Sequence, residues 1–333
     1  MNKKSLFTLF FVAVAVFFLC YDFPKDKEYQ HRDGLVFGTV YSITYSNSDN
    51  KDLSQQITDA LDAVNNSLSM FNKESVISKI NNNQPVVLDS LFLTVWEKGQ
   101  YVSRCTDGAF DMTVAPLVDL WGFGLKNREK VELAVVDSVR QYVGYELAVL
   151  TDGVISKSYP EMRIDAGAIA KGYACDIVAN TLREKGCENL LVDIGGEVVL
   201  QGVNDKGQAW KVGISKPNNN GEGMDNTLQE VIASTNLCMA TSGNYLQYYM
   251  VGSERRSHTI DPRTGYPVEH SLLSATVSAS SCMRADALAT ACMVLGEKEA
   301  LNMIECIPDA ACYLIIAQAD SLRVVTSSRW KVD

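Results

Sequence analysis

The chain is short of basic charge, histidine and proline. Its 333 residues carry 30 Lys and Arg against 40 Asp and Glu, a formal net charge of -10. That balance excludes a nucleic-acid binder, whose phosphate contacts need clustered basic residues. The three histidines and nine cysteines form no CxxC pair and no Cys/His cluster, which excludes a zinc site. Most of the cysteines sit in apolar stretches and read as buried thiols, and their spacing assigns no disulfide. Neither a Walker loop nor a GxGxxG turn occurs. With 8 prolines, 47% hydrophobic and 21% charged residues, the composition is globular rather than disordered.

One long hydrophobic run is present. Lys3 and Lys4 precede an apolar stretch from Leu6 to Tyr21, broken only by Thr8. It is long for the core of a signal peptide and short for a membrane span, and the two lysines favour a cytoplasmic N-terminus. Cys20 stands where a lipoprotein is cut and lipidated, although Phe17, Phe18 and Leu19 before it are bulky. Three outcomes stay open: lipid at Cys20, an uncleaved anchor, or free secretion, with attachment favoured. The expected organisation is a signal or membrane-anchor segment over 1–21, a polar tether over 22–33 and one domain over 34–333. The chain is expected to be exported and anchored to the inner membrane, facing the periplasm.

Within the domain, Leu35 to Tyr45 reads as a strand, rich in β-branched and aromatic residues. Leu53, Ile57, Leu61, Val64 and Leu68 recur at helical spacing. Further helices are expected from Leu91 to Cys105, from Ala168 to Lys185 closed by Gly186, from Met283 to Leu295 ended by Gly296, and over Glu297–Ile307. Leu190–Ile194, Gly195-Gly196 and Val198–Leu200 read as strand, turn and returning strand. Ala209–Ser215 and Glu230–Ser234 are strand-like around a Pro217–Asn226 loop; Leu273–Ala279 is another strand, and Cys312–Ala317 with Leu322–Thr326 a closing hairpin. Helices and hairpins are segregated, so the expected fold class is α+β, antiparallel sheets with packed helices.

Four segments carry chemistry. Arg163 to Ala174 reads as a strand end, a small-residue turn and a helix start, with Asp165 before the turn and Lys171 inside the helix. Such a turn lets backbone approach a ligand, and the free N–H groups of a first helical turn attract phosphate; tight packing alone would give the same pattern. Asp286 and Thr290 stand four apart on one helix face, a hard all-oxygen half-site of the kind Mg²⁺ accepts, or else a helix charge and a packing hydroxyl. His258 opens the loop Ser257 to Pro267, either as an acid or base near neutral pH or as a hydrogen-bonded structural group. Asp111 and Thr113 interrupt an apolar run from Ala109 to Leu117, where an unpaired carboxylate would be costly.

Taken in order, F-D-x-T-V-x-P-L, I-D-x-G-x-x-A-K-G-Y-A-x-D, S-G-x-Y, H-x-I-D-P-x-T-G-x-P and A-D-A-L-A-T-A resemble the FAD:protein FMN transferases, the ApbE family. The likeness starts at Phe37-Gly38-Thr39, where the family has Met-Gly-Thr, and covers about the whole exported chain. It implies a T-fold-like ApbE architecture and cleavage of FAD with Mg²⁺. FMN would be joined by a phosphoester to a threonine of an exported flavoprotein subunit of a membrane redox complex, with release of AMP. By the same resemblance Asp286, the Thr290 hydroxyl and the Ala168 carbonyl hold the metal. Phe37, Phe71, Ala109, Phe110, Asp111, Asp165, Lys171, Tyr245 and His258 contact FAD, with His258 and Asp286 as catalytic groups. An FAD pyrophosphatase, with water replacing the threonine, and a non-catalytic flavin-binding lipoprotein are the alternatives.

Overall fold

A computed structural model of the protein describes residues 28–123, 133–218, 224–244, 248–251, 254–318 and 321–331. The apolar run with Cys20, Tyr245, and residues 219–221 lie outside these. Among the described residues no helix is long and apolar enough to cross a membrane.

In chain order the elements are β1 (Tyr29–Val36), β2 (Thr39–Asn47), α1 (Ser54–Leu68), α2 (Val76–Asn81), α3 (Ser90–Cys105), α4 (Ala115–Leu120), α5 (Leu133–Arg140), β3 (Ala148–Thr151), β4 (Val154–Lys157) and α6 (Ala170–Glu184). There follow β5 (Cys187–Ile194), β6 (Glu197–Gln201), β7 (Trp210–Pro217), β8 (Met224–Ser234), β9 (Asn236–Gly243), β10 (Tyr248–Val251), β11 (Glu254–Ser257), β12 (Leu272–Ser278), α7 (Cys282–Glu305), β13 (Ala311–Gln318) and β14 (Ser321–Thr326). Eight strands form one antiparallel sheet in the order β1-β2-β5-β6-β9-β12-β13-β14. The pairs β3–β4, β7–β8 and β10–β11 are separate hairpins. This is the α+β arrangement expected.

The two faces of the large sheet are covered differently. On one face Ile57, Leu61 and Val64 of α1, Val178 and Leu182 of α6, and Leu288 and Cys292 of α7 pack with Ile43, Val192, Ala275 and Leu314 into the main core. On the other, Ile214 and Ile232 of the β7–β8 hairpin meet Met239, Tyr313 and Ile315. Leu314 and Ile315 are consecutive, so the period-2 alternation of β13 sends them to opposite sides. The helix spacing read in α1 is thus its core face. Cys175, Cys187, Cys282, Cys292 and Cys312 are buried free thiols; Cys238 is half-buried, and Cys105 and Cys306 are exposed.

Several boundaries differ from the sequence reading, and the single strand expected over Leu35–Tyr45 is instead broken at Phe37-Gly38 into the antiparallel pair β1 and β2. Residues 29–33, assigned there to the tether, form the first part of β1 and pair in register with β2 from Tyr29↔Ser46 to Val36↔Thr39. Their polar side chains reflect an edge strand, half-exposed along its length. The helix expected from Ala168 begins at Ala170, because Ile169 and Ala170 both donate their N–H to the Ala166 carbonyl in a preceding turn. β8 starts at Met224, inside the segment read as a loop. The break at Gly296 is where expected: its φ of 74° and ψ of 178° interrupt α7.

Candidate active site

The residues singled out on the α6 turn, on α7 and at the start of the His258 loop converge on one cavity of about 530 Å³. That volume suits a small-molecule ligand. Phe37, Phe71, Asp165, Ala168, Lys171, His258, Asp286 and Thr290 all line it. Phe37 sits at the β1–β2 turn with a φ of 53°, followed by Gly38 at 75°, the left-handed pair a two-residue hairpin demands. Phe71 is 80% exposed at the cavity surface, an apolar ring with little protein around it.

The wall made by α6 and α7 is the electrostatic centre. Asp176 of α6 accepts from the first N–H groups of α7, Cys282 at 2.9 Å and Met283 at 2.8 Å, and fixes where that helix starts. One turn on, Gly172 donates its N–H to Asp286 Oδ2 at 3.0 Å. The approach requires glycine: a Cβ at position 172 would collide with the Cys282 carbonyl and lie 2.8 Å from the Asp286 Cβ. Four residues further along α7, the Thr290 hydroxyl faces Ser242 Oγ at 3.2 Å.

Lys171 places its ammonium 3.0 Å from Glu197 Oε1 and 3.9 Å from Asp286 Oδ1. Burial alone would lower its pKa; the Asp286 and Glu197 carboxylates outweigh burial and hold the ammonium charged. The carboxylates are pushed the other way. Burial raises both Asp286 and Glu197 despite the neighbouring Lys171. The two buried carboxyl groups share the one ammonium, and Glu197 Oε2 has no hydrogen-bond partner. The oxygens of Asp286, Thr290, Ser242 and the Ala168 backbone are all hard donors, so the wall fits a small divalent cation. Among the described residues no group of three His, Cys, Asp or Glu could hold a metal, so such a cation would depend on hydroxyl and carbonyl oxygens.

The α6 turn is strapped from behind. Asp165 donates its N–H to the Met112 carbonyl at 2.6 Å, and its carboxylate accepts from Gly167 at 2.6 Å. Burial raises the Asp165 carboxyl, and the Gly167 N–H offsets part of that rise. The His258 loop is tied down from the far side. Trp121 Nε1 donates to the Gly265 carbonyl at 2.8 Å, and Arg140 to that of Arg263 at 2.7 Å. The His258 ring meets the Phe123 ring edge-on, with centroids 6.2 Å apart.

Ala109, Phe110 and Asp111 are not in the cavity wall. All three are buried. The Asp111 carboxylate is taken up locally: Oδ1 accepts from the Thr113 N–H and hydroxyl, both at 2.7 Å, and Oδ2 from the Tyr145 N–H at 2.7 Å. The polar interruption of the apolar run is therefore a turn that closes on itself. Burial still outweighs those three bonds and raises the carboxyl to about 6. Glu197 and Ser242 are the polar groups missed from the sequence. Ser242 stood in the S-G-x-Y motif without a role, and Glu197 followed two glycines where an exposed turn residue is the ordinary expectation.

Comparison with known proteins places this geometry. Residues 37–314 match the family model described as the ApbE family. A protein of Vibrio cholerae named FAD:protein FMN transferase is 35% identical over 329 residues, covering 96% of this chain and 97% of its own. The protein of that name from Escherichia coli K12 is 31% identical over 339 residues, covering 96% of this chain and 95% of its own. The solved structure titled flavin transferase ApbE from Vibrio cholerae superposes with a TM-score of 0.82 at 35% identity, covering 91% of this chain and 98% of that one.

Proposed function

The chain belongs to the ApbE family, and on that premise we propose that it is an Mg²⁺-dependent FAD:protein FMN transferase. It cleaves FAD, attaches FMN by a phosphoester to a threonine of an acceptor protein, and releases AMP. The observation that carries the reading is the single cavity in which Asp286, Thr290, Lys171 and His258 meet. They come from three distant segments and offer a cation site, an ammonium and an imidazole.

Asp286, the Thr290 hydroxyl and the Ala168 carbonyl would hold the metal. When bound, Mg²⁺ supplies charge neutralisation for the pyrophosphate and for the transferred phosphoryl group. Lys171 gives the phosphates a fixed positive charge, and among the described residues it is the one Lys or Arg lining the cavity. Phe37 and Phe71 offer aromatic faces to the flavin, and Asp165 a carboxylate at the turn. Ala109, Phe110 and Asp111, buried outside the cavity lining, keep the FAD contact that the family resemblance implies. The acceptor hydroxyl attacks the FMN phosphorus, the new O–P bond forms as the pyrophosphate bond breaks, and His258 accepts the hydroxyl proton. Lys3, Lys4 and the Leu6–Tyr21 run support an exported, membrane-anchored enzyme acting on a flavoprotein subunit of a membrane redox complex.

The test is mass spectrometry of an acceptor domain incubated with the protein, FAD and Mg²⁺, with free FMN and AMP measured in the same tube. An acceptor heavier by one FMN residue, dependent on Mg²⁺ and on Asp286, supports the transferase. Unmodified acceptor with accumulating FMN and AMP overturns it in favour of a pyrophosphatase.

A further inference from the structure

Glu197 is the one acidic side chain of the site that no motif announced, and its surroundings assign it work. Its side chain is 3% exposed, at the first position of β6 directly after the Gly195-Gly196 turn. The turn is held by the Gly196 N–H on Asp193 Oδ1 at 2.9 Å, which leaves Glu197 little freedom to move out. Oε1 takes the Lys171 ammonium at 3.0 Å, and Oε2 is buried without a hydrogen-bond partner. A half-satisfied buried carboxylate is costly to keep. What it achieves is visible in the second distance: Lys171 stands 3.9 Å from Asp286, short of direct hydrogen-bond contact.

We infer that Glu197 is a positioning residue that holds the Lys171 ammonium off Asp286 and so keeps the Asp286 carboxylate available to a divalent cation. The inference rests on the reading of Asp286 as a metal ligand. Both carboxylates compete for the same ammonium, and Lys171 has a flexible four-carbon stem able to pivot between them. With Glu197 in place the ammonium is engaged by a group that is not part of the cavity lining. Without it, the nearest buried negative charge is Asp286, and an ammonium closed onto that carboxylate excludes a second cation by repulsion.

The test is Mn²⁺ binding to the full-length protein, read by electron paramagnetic resonance in the absence of FAD. Glu197→Ala should weaken binding by about tenfold or more, in the range expected for groups that orient metal ligands. Glu197→Gln, which retains an oxygen acceptor for the ammonium, should weaken it by no more than about threefold. The Glu197→Ala/Lys171→Met double variant should bind Mn²⁺ as tightly as Lys171→Met alone, because the competitor is gone. Far-UV circular dichroism checks folding, and the glutamine variant preserves side-chain volume should the alanine variant fail to fold. Unchanged binding in Glu197→Ala overturns the inference. So does a double variant as weak as Glu197→Ala, which would make Glu197 a ligand or a packing group instead. Absence of saturable Mn²⁺ binding in the wild type, or binding indifferent to Asp286→Asn, removes the cation site itself, a failure distinct from that of Glu197.

Discussion

Gly172 and Asp286 are joined by a backbone N–H to carboxylate bond of 3.0 Å, made where α6 and α7 approach too closely for any side chain at position 172. The bond removes one N–H donor from water and fixes the Asp286 rotamer at the same time. Gly172→Ala should therefore act twice. Overpacking against the Cys282 carbonyl should cost about 1–3 kcal/mol of stability. Displacement of Asp286 should lower FMN transfer far more than that loss of folded protein explains. Thermal melting alongside transfer rate checks this; a variant with full activity at a lowered Tm would refute the coupling.

Asp286 and Thr290 separate fold from function. Asp286→Asn removes a buried charge whose pKa is raised by desolvation, so the variant should melt no lower than wild type by more than a few degrees. If the proposed Mg²⁺ site is correct, its transfer should nevertheless fall by about three orders of magnitude or more, on the order of losing the charge stabilisation a bound metal gives. Thr290→Val should raise the Mg²⁺ concentration needed for half-maximal rate by about 10–100-fold. Steady-state rates across a Mg²⁺ titration, with chelator as the zero point, decide both.

His258→Ala should reduce transfer by about 10²–10⁴-fold, the usual range for loss of a positioned acid or base. FAD affinity, followed by quenching of flavin fluorescence, should change only a few-fold. Transfer at the wild-type rate under saturating Mg²⁺ would end the assignment of His258 as proton acceptor.

Asp111 gives a prediction about pH. Its carboxyl is raised by burial from 3.8 to about 6. Below about pH 4 the group is neutral in both folded and unfolded chains. Above pH 6 it is charged in both, and only the folded chain bears the desolvation cost. Stability from this group is therefore present at low pH and lost as pH rises through 6, by about 3 kcal/mol in all. Asp111→Asn should flatten that part of the profile, at the expense of a poorer partner for the Tyr145 N–H. Melting curves at pH 4.5 and 7.5 for both proteins provide the comparison, and parallel profiles would contradict it.

Local patterns in the sequence announced most of the secondary structure. The helical spacing of Ile57, Leu61 and Val64, the Gly195-Gly196 turn and the stop at Gly296 each state their outcome within a few residues. Asp286 and Thr290 were legible for the same reason, since a four-residue spacing fixes a shared helix face. Glu197 was not. Its role depends on β6 lying under α6, a long-range arrangement no local pattern encodes. Asp111 shows a different case. Its oddity in an apolar run was real, and the structure shows the carboxylate taken up in a local turn that sequence spacing alone did not reveal. The β1 strand escaped because edge strands tolerate the polar composition of a linker.

The pairing of β2 with β5 brings Thr44 opposite Leu191, across most of the first half of the domain. α6 with Lys171 lies inside that span, β6 with Glu197 follows β5 directly through the Gly195-Gly196 turn, and α7 with Asp286 lies much further along the chain. Loop closure of that length is slow, because chain entropy is lost before the contacts that compensate for it exist. Lys171 and Asp286 are therefore brought together across a long stretch of chain, by the packing of α6 on α7. A chain that ends before α7 would keep Phe37 and Phe71 but lack Asp286 and Thr290, the side chains the proposed cation site depends on.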